Sequence, residues 1–296
     1  MRVATLGPQS ETGRLRRVLL KPPAAAFVDA QRIEHEWRDL GYTAPPRLER
    51  AIDEHARFAA MLEAAGTQVC TLPPATGTGL DSLYVRDSTV TSARGVILCH
   101  MGKPARRGEP RAIASALNAL GIPIRGEIAA PGTLEGGDVV WLDAHTVVVG
   151  RGYRSNDEGI RQLRALLADE IEELIVVPLP HWHGAGECLH LMSLLSPVDR
   201  DLAVVYSPLL SVPFRETLLA RGIELVEVPE AELPSLGTNV LALGPRHCVM
   251  LAGNPQTRAA LERAGCAVET FEGDDICHKG GGGPTCLARP LERDAA

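Results

Sequence analysis

One pattern recurs along this chain at intervals of roughly fifty residues, the spacing of a repeated supersecondary unit. Each copy runs from a β-branched stretch through a loop and an amphipathic helix to a tight turn and a second β-type stretch. The first copy runs from Arg17-Val-Leu-Leu20 through a helix over Arg50 to Ala65 to Gln68–Leu72. The second pairs Gly95–Leu98 with a helix from Arg111 to Leu120 and with Ile122–Ile124, and the third pairs Thr146–Val149 with Asp157–Leu167 and Leu174–Val177. The fourth uses Leu202–Tyr206, Pro213–Ala220 and Ile223–Val228; the fifth uses His247–Leu251, Pro255–Ala264 and Cys266–Thr270.

Ile113, Leu117 and Leu120, like Ile160, Leu163 and Leu167, recur at the helical period, so these helices present one apolar stripe to a core. Gly66, Gly121, Gly222 and Gly265 follow their helices where a left-handed cap is expected, and the third copy lacks one. Five units without a linker predict a single closed, pseudo-fivefold α/β domain over residues 1–296; a doubly wound open sheet is the alternative.

The chain has 296 residues, 45% of them hydrophobic, enough for a sizeable core. A net charge of −7 with no Lys/Arg run argues against nucleic-acid and anionic-membrane surfaces, and suits a cationic small molecule. Met1 to Leu20 lacks the apolar stretch of a signal peptide, and no later segment is long enough to span a bilayer. Seven cysteines without paired spacing fit a reducing compartment, so a cytoplasmic location is expected and a homo-oligomer is allowed. Cys70, Cys99, Cys248 and Cys266 lie in or beside β-type runs and read as buried structural thiols. The stretches Lys21–Pro23 to Thr43–Pro46 and His181–Glu187 are irregular insertions suited to closing a site.

The most unusual segment is Lys279-Gly-Gly-Gly-Gly-Pro-Thr-Cys286. Four successive glycines cost conformational entropy and let backbone come close to a ligand or present donor N–H groups to a developing charge. A phosphate loop is excluded, because Pro284 and Thr285 stand where such a loop needs Gly-Lys-Ser/Thr. By composition alone Cys286 is either an activated nucleophile or an ordinary thiol. In Thr133-Leu-Glu135-Gly-Gly-Asp138 two acids flank a turn, read either as cleft carboxylates or as a solvated turn. The run Asp81-Ser-Leu-Tyr-Val-Arg86-Asp87 ends in a charged pair, and His190 sits in an apolar run as a core residue or a proton shuttle. His181, His183, Cys188, His190, Cys277, His278 and Cys286 reproduce no closed zinc spacing, so neither metal nor cofactor is expected.

Together, Asp81 to Asp87, Arg106-Arg107-Gly-Glu109, Glu135-Gly-Gly-Asp138, Gly152-Tyr-Arg154-Ser-Asn156, His190-Leu and Gly-Gly-Gly-Pro-Thr-Cys286 resemble the guanidino-group-modifying superfamily, and dimethylarginine dimethylaminohydrolases most of all. The motifs occur in family order from about Leu19 to Cys286. The resemblance implies a five-module α/β-propeller of the pentein type. It implies Cys286 as nucleophile, His190 as general acid and base, and Asp87 and Glu135 as guanidinium ligands. It also implies Asp81 as an active-site aspartate, and Arg106 and Arg154 as holders of the substrate's α-carboxylate.

The chemistry suits these residue types. A guanidinium is a poor electrophile whose amine must leave protonated, and a thiolate with an imidazole meets both needs. Two signals conflict: Met192 stands where deiminases and amidinotransferases carry an aspartate, leaving an apolar flank for N-methyl groups, whereas Arg86 before Asp87 follows the deiminase pattern. The leading expectation is hydrolysis of a methylated arginine to citrulline and an amine through a Cys thiouronium. Arginine deimination, amidino transfer and non-catalytic guanidine binding are the alternatives.

Overall fold

Every one of the five repeats is built on a three-stranded sheet, where the sequence pattern shows two strands. The computed structural model describes residues 6, 7 and 9–295. Residues 1–5, part of the stretch read as lacking an apolar leader, lie outside the described residues. The five three-stranded sheets have as central strands Leu15–Leu20, Gly95–Leu98, Thr146–Arg151, Leu202–Val205 and His247–Leu251. Each central strand pairs in parallel with the strand that follows its helix, because a parallel pair needs a long crossover. On its other side it pairs antiparallel with a short strand: Thr89–Ser92, Val139–Trp141, Leu195–Asp199 and Leu241–Gly244 in the last four sheets. In the first sheet that partner comes from the far end of the chain. Arg289–Arg293 lies against Leu15–Leu20 with Leu19 opposite Arg289 and Leu15 opposite Arg293. Segments near both ends of the described chain therefore complete one sheet.

The expected helices form at Leu48–Ala64, Glu109–Ala119, Asp157–Leu167, Val212–Ala220 and Pro255–Arg263. Gly66, Gly121, Gly222 and Gly265 all adopt positive φ, between 69° and 86°. The residue after each glycine then donates its N–H back into the helix, Thr67 to Leu62, Ile122 to Leu117, Ile223 to Leu218 and Cys266 to Leu261. That bond moves the strand starts. Ile122, Ile223 and Cys266, expected as strand residues, serve as caps, and the strands begin at Ile124, Glu224 and Ala267.

The core lies between sheets and helices, with Phe58, Leu62, Leu117, Leu163, Leu167, Leu218 and Leu261 on the buried helix faces. Cys70, Cys99, Cys248 and Cys266 are buried free thiols, as their β-type surroundings suggested. The first insertion folds into a helix at Ala30–Leu40, capped by Asp29, whose carboxylate accepts from Arg32 N, and by Gly41 at φ 86°. Leu40, Gly41 and Thr43 from this insertion, and Trp182 and Gly186–Leu189 from the loop at His181–Glu187, line the same cleft. Among the described residues no helix is long and apolar enough to cross a membrane.

Candidate active site

The cleft, of about 430 Å³, gathers Cys286, His190, Asp87, Asp81, Arg106 and Arg154 from segments up to 205 residues apart in sequence. Cys286 sits in the short helical turn Pro284–Leu287 that ends the glycine run. The glycines are demanded by close packing. A Cβ on Gly280 would fall 2.0 Å from Tyr84 Oη, one on Gly282 2.5 Å from Tyr84 Cε1, and one on Gly283 2.4 Å from Asn239 Cγ. Gly281 supplies the positive φ of 73° that turns the loop between them. Asn239, buried, fixes the thiol's surroundings: its Oδ1 accepts from Thr285 N at 2.9 Å and Thr285 Oγ1 at 2.8 Å, and its Nδ2 donates to Cys286 Sγ at 3.4 Å.

Opposite the thiol, Asp87 and Glu135 approach from two sheets. Asp87 O accepts from Gly136 N at 2.7 Å, which ties the two carboxylate-bearing segments together. Glu135, fully buried, receives Lys103 N on Oε1 at 3.0 Å and His190 Nε2 on Oε2 at 2.8 Å. The other ring nitrogen of His190 faces Asp87 Oδ1 at 3.6 Å and Cys188 Sγ at 3.7 Å. Asp138 pins the histidine's segment from behind, accepting from Leu191 N at 3.0 Å and from Ser155 Oγ at 2.6 Å. Ser155 Oγ in turn accepts from Glu135 N.

Charge follows from this geometry. Burial opposes ionisation of Glu135, but the His190 hydrogen bond and the charges of His190, Arg106 and Arg154 outweigh it and hold its carboxyl at about 2. Burial likewise opposes the charged form of His190, yet Cys188, Asp87 and Asp138 raise it well above its ordinary value. Burial pushes the Cys286 thiol up, as does Asp87, and His190 and Asn239 only partly draw it back. Burial also lifts Asp138 to about 6. The free site therefore favours a neutral thiol beside a charged imidazole. A cation seated between Asp87 and Glu135 would cancel the negative charge that holds the thiol protonated.

Asp87, Glu135 and His190 place one ligand atom each within 4.8 Å of one another, a spacing that would also admit a metal ion. The two buried carboxylates of the trio also suit a cation that donates hydrogen bonds. Asp87 Oδ1 and Arg154 Nη1 are buried without a hydrogen-bond partner among the described residues, one acceptor and one donor left open at the cleft.

Two roles implied by the resemblance differ from the arrangement found. Arg106 is 3% exposed and its donors are committed to protein: Nη1 to Asp87 Oδ2 at 2.5 Å, Nε and Nη2 to Glu109 at 2.9 Å each, and Nη2 also to the carbonyls of Asp81 and Tyr84. It orients Asp87, and has little left with which to hold a substrate carboxylate. Met192 packs in the core beside Leu191 and Leu195, and Ser193 and Leu194 line the cleft in its place, so the expected apolar flank is not made by this methionine. Asp81 faces the cleft with its charge already met by Lys103 Nζ at 2.6 Å. Arg154 reaches the cleft beside Glu135, 3.5 Å from Oε2. Arg86 pairs neither with Asp87 nor with the cleft; it is buried against Glu11 at 2.6 Å. Lys103 and Asn239 were not read as site residues, and Asp138, Cys188 and Glu109 only as a candidate cleft acid, a candidate metal ligand and part of a motif. Glu109 had a signal, its place three residues after Arg106 at the start of a helix; Asn239 had none.

Fold and site together define the class, the guanidino-group-modifying superfamily. Residues 24–293 match the family model described as N,N dimethylarginine dimethylhydrolase, eukaryotic, and the chain belongs to that family. An N(G),N(G)-dimethylarginine dimethylaminohydrolase from Pseudomonas aeruginosa is 27% identical over 274 residues, 92% of this chain and 98% of its own. Among solved structures, the N-terminal domain of ArgZ, a cyanobacterial arginine dihydrolase bound to substrate, superposes with a TM-score of 0.79 at 19% identity, covering 94% of this chain and 98% of that one. SxtG, an amidinotransferase from Microseira wollei, gives 0.80 at 16% identity and covers 98% of each chain. These two likenesses speak to the fold.

Proposed function

We propose that this chain hydrolyses an Nω-methylated arginine to citrulline and a methylated amine, using Cys286 as nucleophile and His190 as proton shuttle. The observation that carries the reading is one cleft lined by a thiol, an imidazole and the buried carboxylates of Asp81 and Asp87, with Glu135 buried against His190 and Asp87 Oδ1 still lacking a donor. A guanidinium lying between Asp87 and Glu135 supplies that donor and completes a planar two-carboxylate grip. Its positive charge favours the thiolate, whose proton leaves to solvent because His190 already carries one. The sulfur then adds to the guanidinium carbon, and His190 gives its proton to the departing methylated nitrogen as the carbon–nitrogen bond breaks, leaving a thiouronium on Cys286. His190, now neutral, takes a proton from water; the hydroxide adds to the same carbon, and the carbon–sulfur bond breaks to release the ureido product. Acid–base help of this kind is typically worth about 10²- to 10⁴-fold. Everything this reaction needs stands in the chain's own thiol, imidazole and carboxylates.

Arg154 Nη1, buried, ion-paired with Glu135 at 3.5 Å but without a hydrogen bond, is the donor we assign to the substrate's α-carboxylate. The sheet that joins Arg289–Arg293 to Leu15–Leu20 supports reading the five sheets as blades of one closed α/β-propeller in a single domain, with the cleft at its centre. Membership of the dimethylarginine family, the relative from Pseudomonas aeruginosa and the burial of Arg86 away from the cleft together favour a methylated substrate. Arginine itself is the second reading, favoured by Ser193, a polar side chain, on the wall beside His190.

The test is ureido-product formation from asymmetric dimethylarginine, monomethylarginine and arginine by wild type and Cys286→Ser. Product from a methylated arginine with wild type alone supports the reading. A clear preference for arginine replaces it with deimination, and no ureido product but a new guanidino compound formed from an added acceptor amine replaces it with amidino transfer.

A further inference from the structure

Behind the guanidinium grip lies a second charged cluster that this chemistry does not use. Arg86, Arg289 and Arg293 are 1%, 5% and 5% exposed, and their shared carboxylate among the described residues is Glu11, itself buried and bonded to Arg86 Nη2 at 2.6 Å. Arg289 Nη2 donates to the Arg86 carbonyl, and Arg293 gives its Nη1 and Nη2 to the carbonyls of Gly13 at 2.7 Å and Ala242 at 2.9 Å. Four donors remain buried without a partner among the described residues: Arg86 Nε, Arg86 Nη1, Arg289 Nε and Arg293 Nε.

Arginine cannot shed its proton to escape this situation, and an uncompensated buried cation is strongly destabilising. The three guanidinium groups feel one another. Burial and then the Arg86 charge draw Arg289 down to about 9, while burial, opposed by Glu11, brings Arg293 to about 10. Water would satisfy the open N–H groups but would leave the charge unbalanced. Arg289 and Arg293 are the two ends of one strand, and each reaches the segment around Arg86 and Glu11: Arg289 through the Arg86 carbonyl, Arg293 through the Gly13 carbonyl. A Cβ on Gly136 would meet the Arg86 carbonyl at 2.2 Å and Arg289 Nη2 at 2.4 Å, so the cluster packs directly against the Glu135 segment. All three arginines are buried, so an anion that joins them must be small and shed its water.

We propose that Arg86, Arg289 and Arg293 form a buried binding site for a small monatomic anion of the halide class. Arg86 directly precedes Asp87, and Gly136 directly follows Glu135, so the ion sits behind both carboxylates of the grip. There it offsets the positive field that would otherwise oppose a cationic substrate. The site itself stands whatever guanidine the cleft accepts.

The test begins with full-length protein exchanged into sodium gluconate and titrated with sodium chloride or bromide at constant ionic strength. The expected result is a saturable rise in Tm of several degrees with either halide, lost in Arg86→Met and in Arg293→Met. Crystals of wild type soaked in bromide should show an anomalous peak in contact with the arginine nitrogens, a readout that stands even where a variant fails to fold. Equal Tm in gluconate and halide overturns the proposal, and so does bromide-soaked density that shows only water at these donors.

Discussion

His190 Nε2 lies 2.8 Å from Glu135 Oε2, with both side chains buried, so each group's protonation is written into the stability of the fold. Glu135 is lowered from 4.5; its stabilisation is present above that value and is lost as pH falls towards about 2. His190 is raised from 6.5; its stabilisation is complete below that value and is lost as pH rises through the higher native one. Both contributions are full only between about pH 4.5 and 6.5, with limiting slopes near 1.4 kcal/mol per pH unit for each group. Thermal melts from pH 3 to 9 should therefore show Glu135→Gln with a shallower acid limb than wild type, other lowered carboxylates such as Asp275 keeping the rest, and with part of the alkaline limb lost as His190 loses its partner. Superimposable profiles would show that the pair carries no such linkage.

Asn239 touches Cys286 and holds Thr285, so its two substitutions should separate position from charge. Asn239→Ala strips the acceptor from Thr285 N and Oγ1, costing about 1–3 kcal/mol for buried donors left unpaired, and should lower kcat more than it raises KM. Asn239→Asp keeps that acceptor, removes the N–H donated to the sulfur, and sets a negative charge beside the thiol. Alkylation of Cys286 by iodoacetamide, followed against pH, should move to higher pH in Asn239→Asp. An unmoved alkylation profile would mean that Asn239 does not act on the thiol.

Arg106 and Glu109 form a buried pair that aims Asp87, and a lysine at 106 keeps the charge but cannot reproduce the fork. Arg106→Lys should raise KM for the guanidine by about tenfold or more, the cost of roughly one misplaced charge-assisted hydrogen bond. A substrate analogue lacking the α-carboxylate decides between roles. If Arg106 orients Asp87, the variant's penalty persists with that analogue; if Arg106 holds the carboxylate, the penalty disappears.

The legible parts of the fold were those with a period. Helix stripes such as Ile160, Leu163 and Leu167, and glycine caps such as Gly121, mark where each repeat turns, and the central strands follow from them. The antiparallel strands were hidden for the opposite reason. Thr89–Ser92 and Val139–Trp141 are buried on both faces, so they carry no alternation to read. The pairing of Arg289–Arg293 with Leu15–Leu20 joins segments about as far apart as the chain allows, beyond any local signal. In the site, Cys286, Asp87 and Glu135 stood out because glycine runs or a charged pair flank them, whereas Asn239 lies in ordinary sequence and matters only through the neighbours folding gives it. Arg106 was visible as a residue, but its work was not, since a sequence does not show that Glu109, Asp87 and two carbonyls consume its donors.

Gly137 lies directly against His190 and Asp87. A Cβ built there would lie 2.6 Å from His190 Nδ1 and 2.7 Å from Asp87 Oδ1, closer than side-chain atoms tolerate. The neighbours are the imidazole and carboxylate that the proposed chemistry needs in register, and both are buried, with little freedom to yield. Overpacking of this kind costs about 1–3 kcal/mol, which a chain of this size should survive as a folded protein. The loss should instead appear in turnover, because an imidazole displaced by a few tenths of an ångström or more no longer meets both Glu135 and the departing amine. Gly137→Ala should keep a cooperative melt within several degrees of wild type while kcat falls by about 10²-fold, the low end of what acid–base help contributes. Full activity in that variant would show that His190 and Asp87 do not act from the positions they hold here, and would remove the histidine from the proposed mechanism.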